Sequence, residues 1–191
     1  MTDSPAPASR RFQHQRLLCL TPPLHEHAVR LLAAAAHARW HPISAVIGIA
    51  QGGLPPAHGI SHILQVPTHR LVAKHNPTDA IYTQATGHVT TDLRALAAAL
   101  NGEQLAGTVL LVDDICGSGA TLTAVRAALR PHLRTGAALR TATLCRNADA
   151  TLDPDLWIWT VDDWVHFPWE TPPPPGTGRE DLPTPGQVRS P

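Results

Sequence analysis

The chain lacks an excess of either charge, and this narrows the kinds of partner that it can bind. Lys and Arg together number 15, as do Asp and Glu, so the formal net charge is zero. A basic excess is typical of nucleic-acid binding, and an acidic tail is typical of proteins with basic partners. We therefore expect no nucleic-acid partner. Any phosphate must be bound locally, by backbone N–H groups and a few side chains.

Cysteines and long apolar runs are also scarce. The three cysteines, Cys19, Cys116 and Cys145, form no CxxC pair, and their odd number excludes a complete disulfide framework. The longest apolar run near the start, residues 31–36, is too short to span a bilayer. The polar N-terminal segment has no apolar stretch of the kind found in signal peptides. These absences predict reduced thiols in a cytoplasmic protein that does not enter a membrane.

The two ends of the chain have compositions that cannot build a core. Residues 1–16 are mostly polar, and residues 171–191 are rich in Pro and Gly. We expect both segments to be disordered, the second with polyproline II character and with a docking role left open. The folded domain is then expected to span residues 17–170, a length that suits one substantial core.

Between these ends, short apolar runs typical of buried parallel strands alternate with segments of helical periodicity. Strands are predicted over residues 45–49, 69–73, 108–112, 139–145 and 156–160. Helices are predicted from Thr21 onward and over residues 54–64, 91–100 and 121–129, with a strand at the front of 91–100 left open. This order predicts an α/β domain with a mainly parallel sheet, whose ligands bind beyond the carboxyl ends of the strands.

The loop after the strand at 108–112 contains the residues best suited to chemistry. It begins with Asp113 and Asp114, continues through small residues and leads into a helix. The small residues let N–H groups surround an anion, and a helix N-terminus stabilises that anion by about 0.3–1 kcal/mol. Two carboxylates beside a phosphate make sense if they accept hydrogen bonds from vicinal hydroxyls. A ribose 5-phosphate fits, with its hydroxyls on the two acids and its phosphate in residues 117–121, where Ser118 and Thr121 add hydroxyl donors.

Other phosphate-binding motifs do not match this loop. A Walker loop requires a Lys that the segment does not have, and the dinucleotide fingerprint requires a third Gly where Leu122 stands. A plain tight turn with acidic residues capping the helix is the structural alternative. The order of strand, two acids, small residues and helix favours the phosphate site.

Residues 112–121 resemble the phosphoribosyl pyrophosphate motif of type I phosphoribosyltransferases, and the resemblance extends over roughly residues 24–170. It implies a parallel-sheet, Rossmann-like core with a small base-binding hood at about residues 146–170. It also implies transfer of a 5-phosphoribosyl group to a purine or purine-like base, giving a nucleoside monophosphate and pyrophosphate. The expected cofactor is Mg²⁺, with Asp113 and Asp114 as catalytic and metal-binding residues. The ribose 5-phosphate is then held by Asp113, Asp114, Ile115, Cys116, Gly117, Ser118, Gly119, Ala120 and Thr121.

Further segments support the resemblance. Residues 46–57 are similar to the family's pyrophosphate loop, although two glycines can also serve a plain strand–helix turn. Residues 163–170 resemble the base-binding segment of xanthine–guanine and hypoxanthine enzymes, although its tryptophans can also simply cover the core. Glu170 is left with two roles, contact with the base or bracing of the hood. The resemblance assigns pyrophosphate to Ala50, Gln51, Gly52 and Gly53, the base to Arg146, Trp164, Val165 and Glu170, and a lid to Tyr82 and Thr83.

Two positions depart from the family pattern. Gln51 stands where the pyrophosphate loop usually has Arg or Lys, and Gly117 stands where 6-oxopurine relatives have an Asp that handles the ring proton. Gly cannot act as a general base, a role worth about 10²–10⁴-fold. Adenine- and orotate-type relatives also lack this acid, so neither departure rules out catalysis. The departures make guanine, xanthine or hypoxanthine less expected and favour an unusual base such as a modified purine or deazapurine.

The departures also leave other functions open. One is a non-catalytic regulator that binds phosphoribosyl pyrophosphate or a nucleotide, and another is a hydrolase that releases free base from a nucleotide. Relatives commonly pair or form tetramers, so we expect a homodimer.

Overall fold

The computed structural model describes residues 12–13, 16–74, 89–174 and 176–191, and at its centre is a six-stranded sheet. In spatial order the strands are β4 (Thr90–Asp92), β3 (Thr68–Lys74), β2 (Ile43–Ala50), β5 (Thr108–Cys116), β6 (Ala138–Asn147) and β7 (Leu156–Val161). Neighbouring strands are parallel except β3 and β4, which are antiparallel. The predicted α/β class with a mainly parallel sheet is therefore confirmed, and each predicted strand is present.

In the described part of the chain, four helices pack on this sheet. They are α1 (Pro22–Trp40), α2 (Leu54–Leu64), α3 (Arg94–Leu100) and α4 (Ala120–Leu129). Thr21 is the extended N-cap of α1, as expected from the Pro that follows it. The helix predicted over 91–100 begins only at Arg94, because β4 pairs with β3 just before it. None of these described helices is both long and apolar enough to cross a bilayer.

The core lies on both faces of the central sheet, because successive side chains of a strand point to opposite faces. On β5, Leu110 and Val112 pack with residues of α1 and α2. Val109 and Leu111, one step away along the strand, pack with residues of α3 and α4. All four side chains are 0% exposed, as in parallel strands that are buried on both faces. The end of β5 is therefore a well-supported platform for the loop that follows.

A second sheet has three parallel strands, and we call it the hood. Its order is β8 (Trp164–His166), β1 (Leu17–Cys19) and β9 (Arg179–Asp181). Arg16 joins the strands, because its guanidinium lies 3.4 Å from Asp162, 3.1 Å from Asp163 and 2.8 Å from Glu180. The expected hood at residues 146–170 contains only one of these strands. The other two come from segments far away in the sequence.

The C-terminal segment differs from the expectation of disorder. We call residues 176–191 the strap. Leu182 is 4% exposed, and its N–H donates to Cys19 O over 2.9 Å. The indole N–H of Trp159 donates to Pro183 O over 2.9 Å, and Arg189 forms a backbone pair with Trp157. Proline cannot donate a hydrogen bond, but its carbonyl can accept one, so a Pro-rich segment can still dock when a few apolar side chains accompany it.

The N-terminal segment lies largely outside the described residues, which omit residues 1–11 and 14–15. Composition places Arg16 in a disordered tail, but in the structure it makes the ion pairs of the hood. Phe12 lies with its ring centroid 5.9 Å from that of Trp164. At least these two residues contact the folded domain.

Candidate active site

Residues 115–121, which we call the phosphate loop, connect the end of β5 to the start of α4. Ser118 is buried, and Gly119 has φ of +94°, a left-handed conformation that suits glycine. The first turn of α4 carries no acidic side chain, and its N-cap residue provides no side-chain cap. The N–H groups of that turn therefore favour an anion. A small concavity at this place is lined by Ile115, Cys116, Gly117, Ser118, Gly119, Thr121 and Leu122.

Asp113 and Asp114 lie at the carboxyl end of β5, immediately before the phosphate loop. Asp113 is 8% exposed, and its Oδ1 accepts a hydrogen bond from Asp114 N over 3.0 Å. Asp114 Oδ1 accepts one from Ile115 N over 2.6 Å. Local backbone donors thus help to orient both carboxylates at the strand end.

Residues 50–53, which we call the pyrophosphate loop after the role that the resemblance assigns to them, lie directly against the two acids. The Ala50–Gln51 peptide bond is cis. A Cβ added at Gly52 would overlap the carboxylate of Asp114. A Cβ added at Gly53 would lie 2.8 Å from Asp113 Cα. Backbone contact therefore requires glycine at 53, and glycine at 52 lets the Asp114 carboxylate lie against the loop, so the pyrophosphate loop and the acidic pair meet at one sheet edge.

The hood places the expected base-binding residues as follows. Trp164 comes just after the carboxyl end of β7, at the same edge of the central sheet as Asp113. Val165 is 4% exposed and packs in the core. Glu170 accepts a hydrogen bond from Phe167 N over 2.9 Å, and its own N–H donates to Phe167 O over 3.0 Å. These hydrogen bonds fit the bracing role for Glu170, and its contact with a base stays a prediction.

Trp169 packs as a residue that covers the core, which is the alternative to stacking on a base. Its ring stacks on Phe167 with centroids 5.2 Å apart and planes 12° apart, and it packs against the core. His25 of α1 meets it edge to face at 5.2 Å. Burial lowers the pKa of His25, so this histidine tends to be neutral. Trp169 therefore covers the core between the hood and α1.

Arg146 does not extend freely towards a base. Its guanidinium pairs with Asp153 and donates to the carbonyl oxygens of Asn147 (3.0 Å), Ala148 (3.2 Å) and Ala150 (3.1 Å). Its side chain is 16% exposed and lies over the Trp157 ring. The resemblance assigns Arg146 to the base. In the structure, however, the guanidinium donors of Arg146 bind acceptors of the turn that follows β6.

Three further observations complete the site. The expected lid residues, Tyr82 and Thr83, lie outside the described residues. Burial, and to a smaller extent the charge of Asp114, raises the pKa of the Cys145 thiol well above its usual value. This thiol is therefore protonated near neutral pH and does not act as a nucleophile.

Sequence reasoning missed the turn at 147–153, which contacts the phosphate loop, because that contact joins residues more than thirty positions apart.

The comparisons with known proteins agree with this geometry. A family model described as "Phosphoribosyl transferase domain" matches residues 20–175. The xanthine-guanine phosphoribosyltransferase of Gluconobacter oxydans is 30% identical over 152 residues, which are 78% of this chain and 82% of that protein.

Solved structures show the same fold. A purine phosphoribosyltransferase from Pyrococcus horikoshii matches with a TM-score of 0.67 and 24% identity, over 82% of this chain and 96% of that one. A xanthine-guanine-hypoxanthine phosphoribosyltransferase from Helicobacter pylori matches with a TM-score of 0.64 and 16% identity, over 82% of this chain and 93% of that one. At these identities the two structures support the fold alone.

Proposed function

The chain belongs to the phosphoribosyl transferase domain family, and from this premise we propose that it transfers a 5-phosphoribosyl group from phosphoribosyl pyrophosphate to a ring nitrogen of a purine-like base. The observation that carries the proposal is the meeting of the acidic pair with the pyrophosphate loop, where Asp114 lies directly over Gly52. The donor carries its diol between a 5-phosphate and a pyrophosphate. Its binding therefore requires the acidic pair to lie next to the loop that binds the pyrophosphate. The relative from Gluconobacter oxydans, named as a xanthine-guanine enzyme, supports a purine-like acceptor.

In this proposal each end of the donor has its own part of the site. Asp113 and Asp114 accept hydrogen bonds from the ribose hydroxyls, because their carboxylates lie at the strand end beside the phosphate loop and the pyrophosphate loop. The phosphate loop and the first turn of α4 bind the 5-phosphate through backbone N–H groups. Residues 50–53 bind the pyrophosphate, with Gln51 giving a neutral amide where relatives have a cation.

The site fits Mg²⁺ as a cofactor that arrives with the donor. The described residues contain no cluster of three or more His, Cys, Asp or Glu side chains, so they offer no complete protein cage for a metal. Mg²⁺ prefers oxygen ligands and retains waters, and it is commonly held by one or two carboxylates together with substrate phosphates. Asp113 and Asp114 are the carboxylates that would hold it. There it would neutralise charge on the pyrophosphate.

The base is proposed to bind between the acidic pair and Trp164. Its ring nitrogen attacks C1 of the ribose, the bond from C1 to pyrophosphate breaks, and the nucleotide and pyrophosphate leave. Gly117 has no side chain to accept a ring proton, so we propose that this proton passes to solvent. Positioning and charge stabilisation by the loops then supply the catalysis. The lack of an acid at Gly117 favours modified purines or deazapurines over the common 6-oxopurines.

Nucleotide formation is the direct test. The protein is incubated with phosphoribosyl pyrophosphate, Mg²⁺ and separate purines, pyrimidines and deazapurines, and the products are identified by mass. We expect a nucleotide and pyrophosphate with at least one purine-like base. Donor binding without any nucleotide would instead support the regulator that the departures at Gln51 and Gly117 leave open. Release of free base from a nucleotide, without pyrophosphate, would support a hydrolase.

The ribose assignment has its own variant. Asp114→Asn removes a charged acceptor, so donor affinity should fall by about 10–100-fold, the range for hydrogen bonds to charged groups. Glu103→Gln is the matched control, because Glu103 is an exposed acid in the turn after α3. Both are measured by calorimetric titration with phosphoribosyl pyrophosphate. Unchanged affinity in Asp114→Asn would show that the ribose lies elsewhere.

A further inference from the structure

Arg146 holds the turn that follows β6 in one conformation. Its guanidinium pairs with Asp153 at one end of the turn and donates to the carbonyl oxygens of Asn147 and Ala148 at the other. A further contact reaches Ala150 O in the middle, over 3.1 Å. We call residues 147–153 the support turn. A planar guanidinium can satisfy several acceptors in different directions at once, which an ammonium group does less well.

The support turn in turn contacts the phosphate loop. Thr151 donates twice to Ser118 O, through its backbone N–H over 3.2 Å and through Oγ1 over 2.9 Å. Cys116 Sγ lies 3.3 Å from Leu152 O. A Cβ at Gly119 would lie only 2.7 Å from Leu152 Cβ, so the two segments are in close packing contact. The phosphate loop is therefore shaped on this side by the support turn.

Register in the sheet explains why Arg146 is the residue that joins these parts. Arg146 pairs with Cys116 across β5 and β6, so its Cα lies beside the strand end that opens into the phosphate loop. The side chain lies over the Trp157 ring of β7, with 5.8 Å between Cζ and the ring centroid. The stacked ring and the carbonyl oxygens together fix the guanidinium. Arg146 thus connects three neighbouring strands to one loop.

We propose that Arg146 is a positioning residue for the phosphate loop, which acts through the support turn on donor binding and not through contact with the base. The proposal rests on the proposed function in one respect, that the ligand of the phosphate loop is the 5-phosphate of the donor. It reverses the role suggested by the sequence, in which Arg146 donates to the base. The two roles predict changes in different binding constants.

The first experiment needs no substrate. Hydrogen exchange of the free protein is compared between the wild type and Arg146→Met, which keeps the apolar stem but removes the donors. Residues 116–121 and the support turn should exchange about tenfold faster, because local opening becomes easier when their contacts are lost. Arg30→Met is the matched control, since Arg30 is an exposed arginine on α1 that lies 4.0 Å from Glu26. Unchanged exchange at 116–121 in Arg146→Met would overturn the proposal.

The second experiment separates donor from base. In Arg146→Met the dissociation constant for phosphoribosyl pyrophosphate should rise about tenfold, while KM for the base should stay within about twofold. Arg146→Lys should recover only part of the donor affinity, because an ammonium cannot reproduce the guanidinium contacts. A raised KM for the base with unchanged donor affinity would place Arg146 at the base and overturn the inference, with the proposed function intact.

A third variant covers a failure of Arg146→Met to fold. Thr151→Val removes the Oγ1 donor to Ser118 O but retains the backbone one, so it loosens the same contact without touching Arg146. Faster exchange at 116–121 with little change at the core of β6 is the expected result, and no change would count against the proposal. If the wild type neither binds the donor nor makes a nucleotide, the proposed function fails, and the exchange experiments still decide whether Arg146 supports the loop.

Discussion

Replacing Gly52 with alanine should separate donor binding from folding. A Cβ at this position would lie 2.5 Å from Asp114 Cγ and 3.1 Å from its Oδ1. These are side-chain atoms, and a carboxylate can rotate away at modest cost. At Gly53 the same methyl would lie 2.5 Å from Val112 O and 2.8 Å from Asp113 Cα. Those are backbone atoms of a buried strand, so the clash cannot be relieved by a side-chain rotation.

The magnitudes follow from this difference. Gly52→Ala displaces Asp114, so we expect a loss of donor affinity of about 10–100-fold, similar to loss of a charged hydrogen bond. Its melting temperature should change little. Gly53→Ala overpacks the end of β5, and such changes typically cost about 1–3 kcal/mol of folding free energy. Gly186→Ala is the matched control, because a Cβ at Gly186 would meet nothing within 4 Å.

Two measurements decide the case, calorimetric titration with phosphoribosyl pyrophosphate and denaturation by urea. The expected pattern is weak donor binding with wild-type stability in Gly52→Ala, and reduced stability in Gly53→Ala. Wild-type donor affinity in a folded Gly52→Ala protein would refute the reasoning. It would mean that the Asp114 carboxylate contributes nothing to donor binding from its position over the pyrophosphate loop.

Three other predictions test the hood, the strap and the histidine beneath them. Arg16→Met removes the cation beside the fully buried Asp163 carboxylate, so it should lower the melting temperature and raise KM for the base more than the donor dissociation constant. Leu182→Ala should destabilise the fold by about 2–5 kcal/mol in urea denaturation, because Leu182 is buried in the core, whereas a disordered strap would make it neutral. Burial lowers the pKa of His25 below its usual value of 6.5. The unfolded chain therefore binds a proton at His25 more readily than the folded chain does. The contribution of neutral His25 to folding stability is fully present above pH 6.5 and falls as the pH drops below it. His25→Phe should reduce this loss of stability, which is measured by thermal melts at pH values above and below 6.5.

Five of the six central strands are predictable because each contains a short run typical of parallel strands, whereas β4 is polar, lies at the sheet edge and has no such run. Helix starts with a local signal are also predictable, such as Thr21 followed by proline. The acidic pair and the phosphate loop are contiguous in sequence, so their pattern is visible without any tertiary information. The pyrophosphate loop is similar, although the reason for Gly53 is contact with Asp113, which only the structure shows.

The hood and the strap are less predictable because long-range pairing decides them. β1 is three residues long and pairs with β8 and β9, which lie about 150 residues further along the chain. No periodicity can be detected in a strand of this length. Composition rules assign a Pro-rich segment to disorder, yet the strap docks through Leu182 and a few carbonyl oxygens. The engagement of Arg146 by the support turn is local, within seven residues, but no motif in the sequence signals it.

The two departures from the family pattern, Gln51 and Gly117, can be compared with the glycines that lie near them in the structure. Gly53 lies against backbone atoms of β5, Gly52 lies against the Asp114 carboxylate, and Gly119 has a positive φ and lies against Leu152. What differs is side-chain chemistry, a neutral amide at the exposed Gln51 and no acid at Gly117. Gly53 and Gly119 are required by the fold itself, whereas the three nearest atoms to a Cβ at Gly52 all belong to the Asp114 side chain, so Gly52 is the glycine that bears on donor binding. A glycine at 52 beside Asp114, together with a neutral amide at 51 and no acid at 117, is the pattern that we expect of a phosphoribosyltransferase with an altered acceptor.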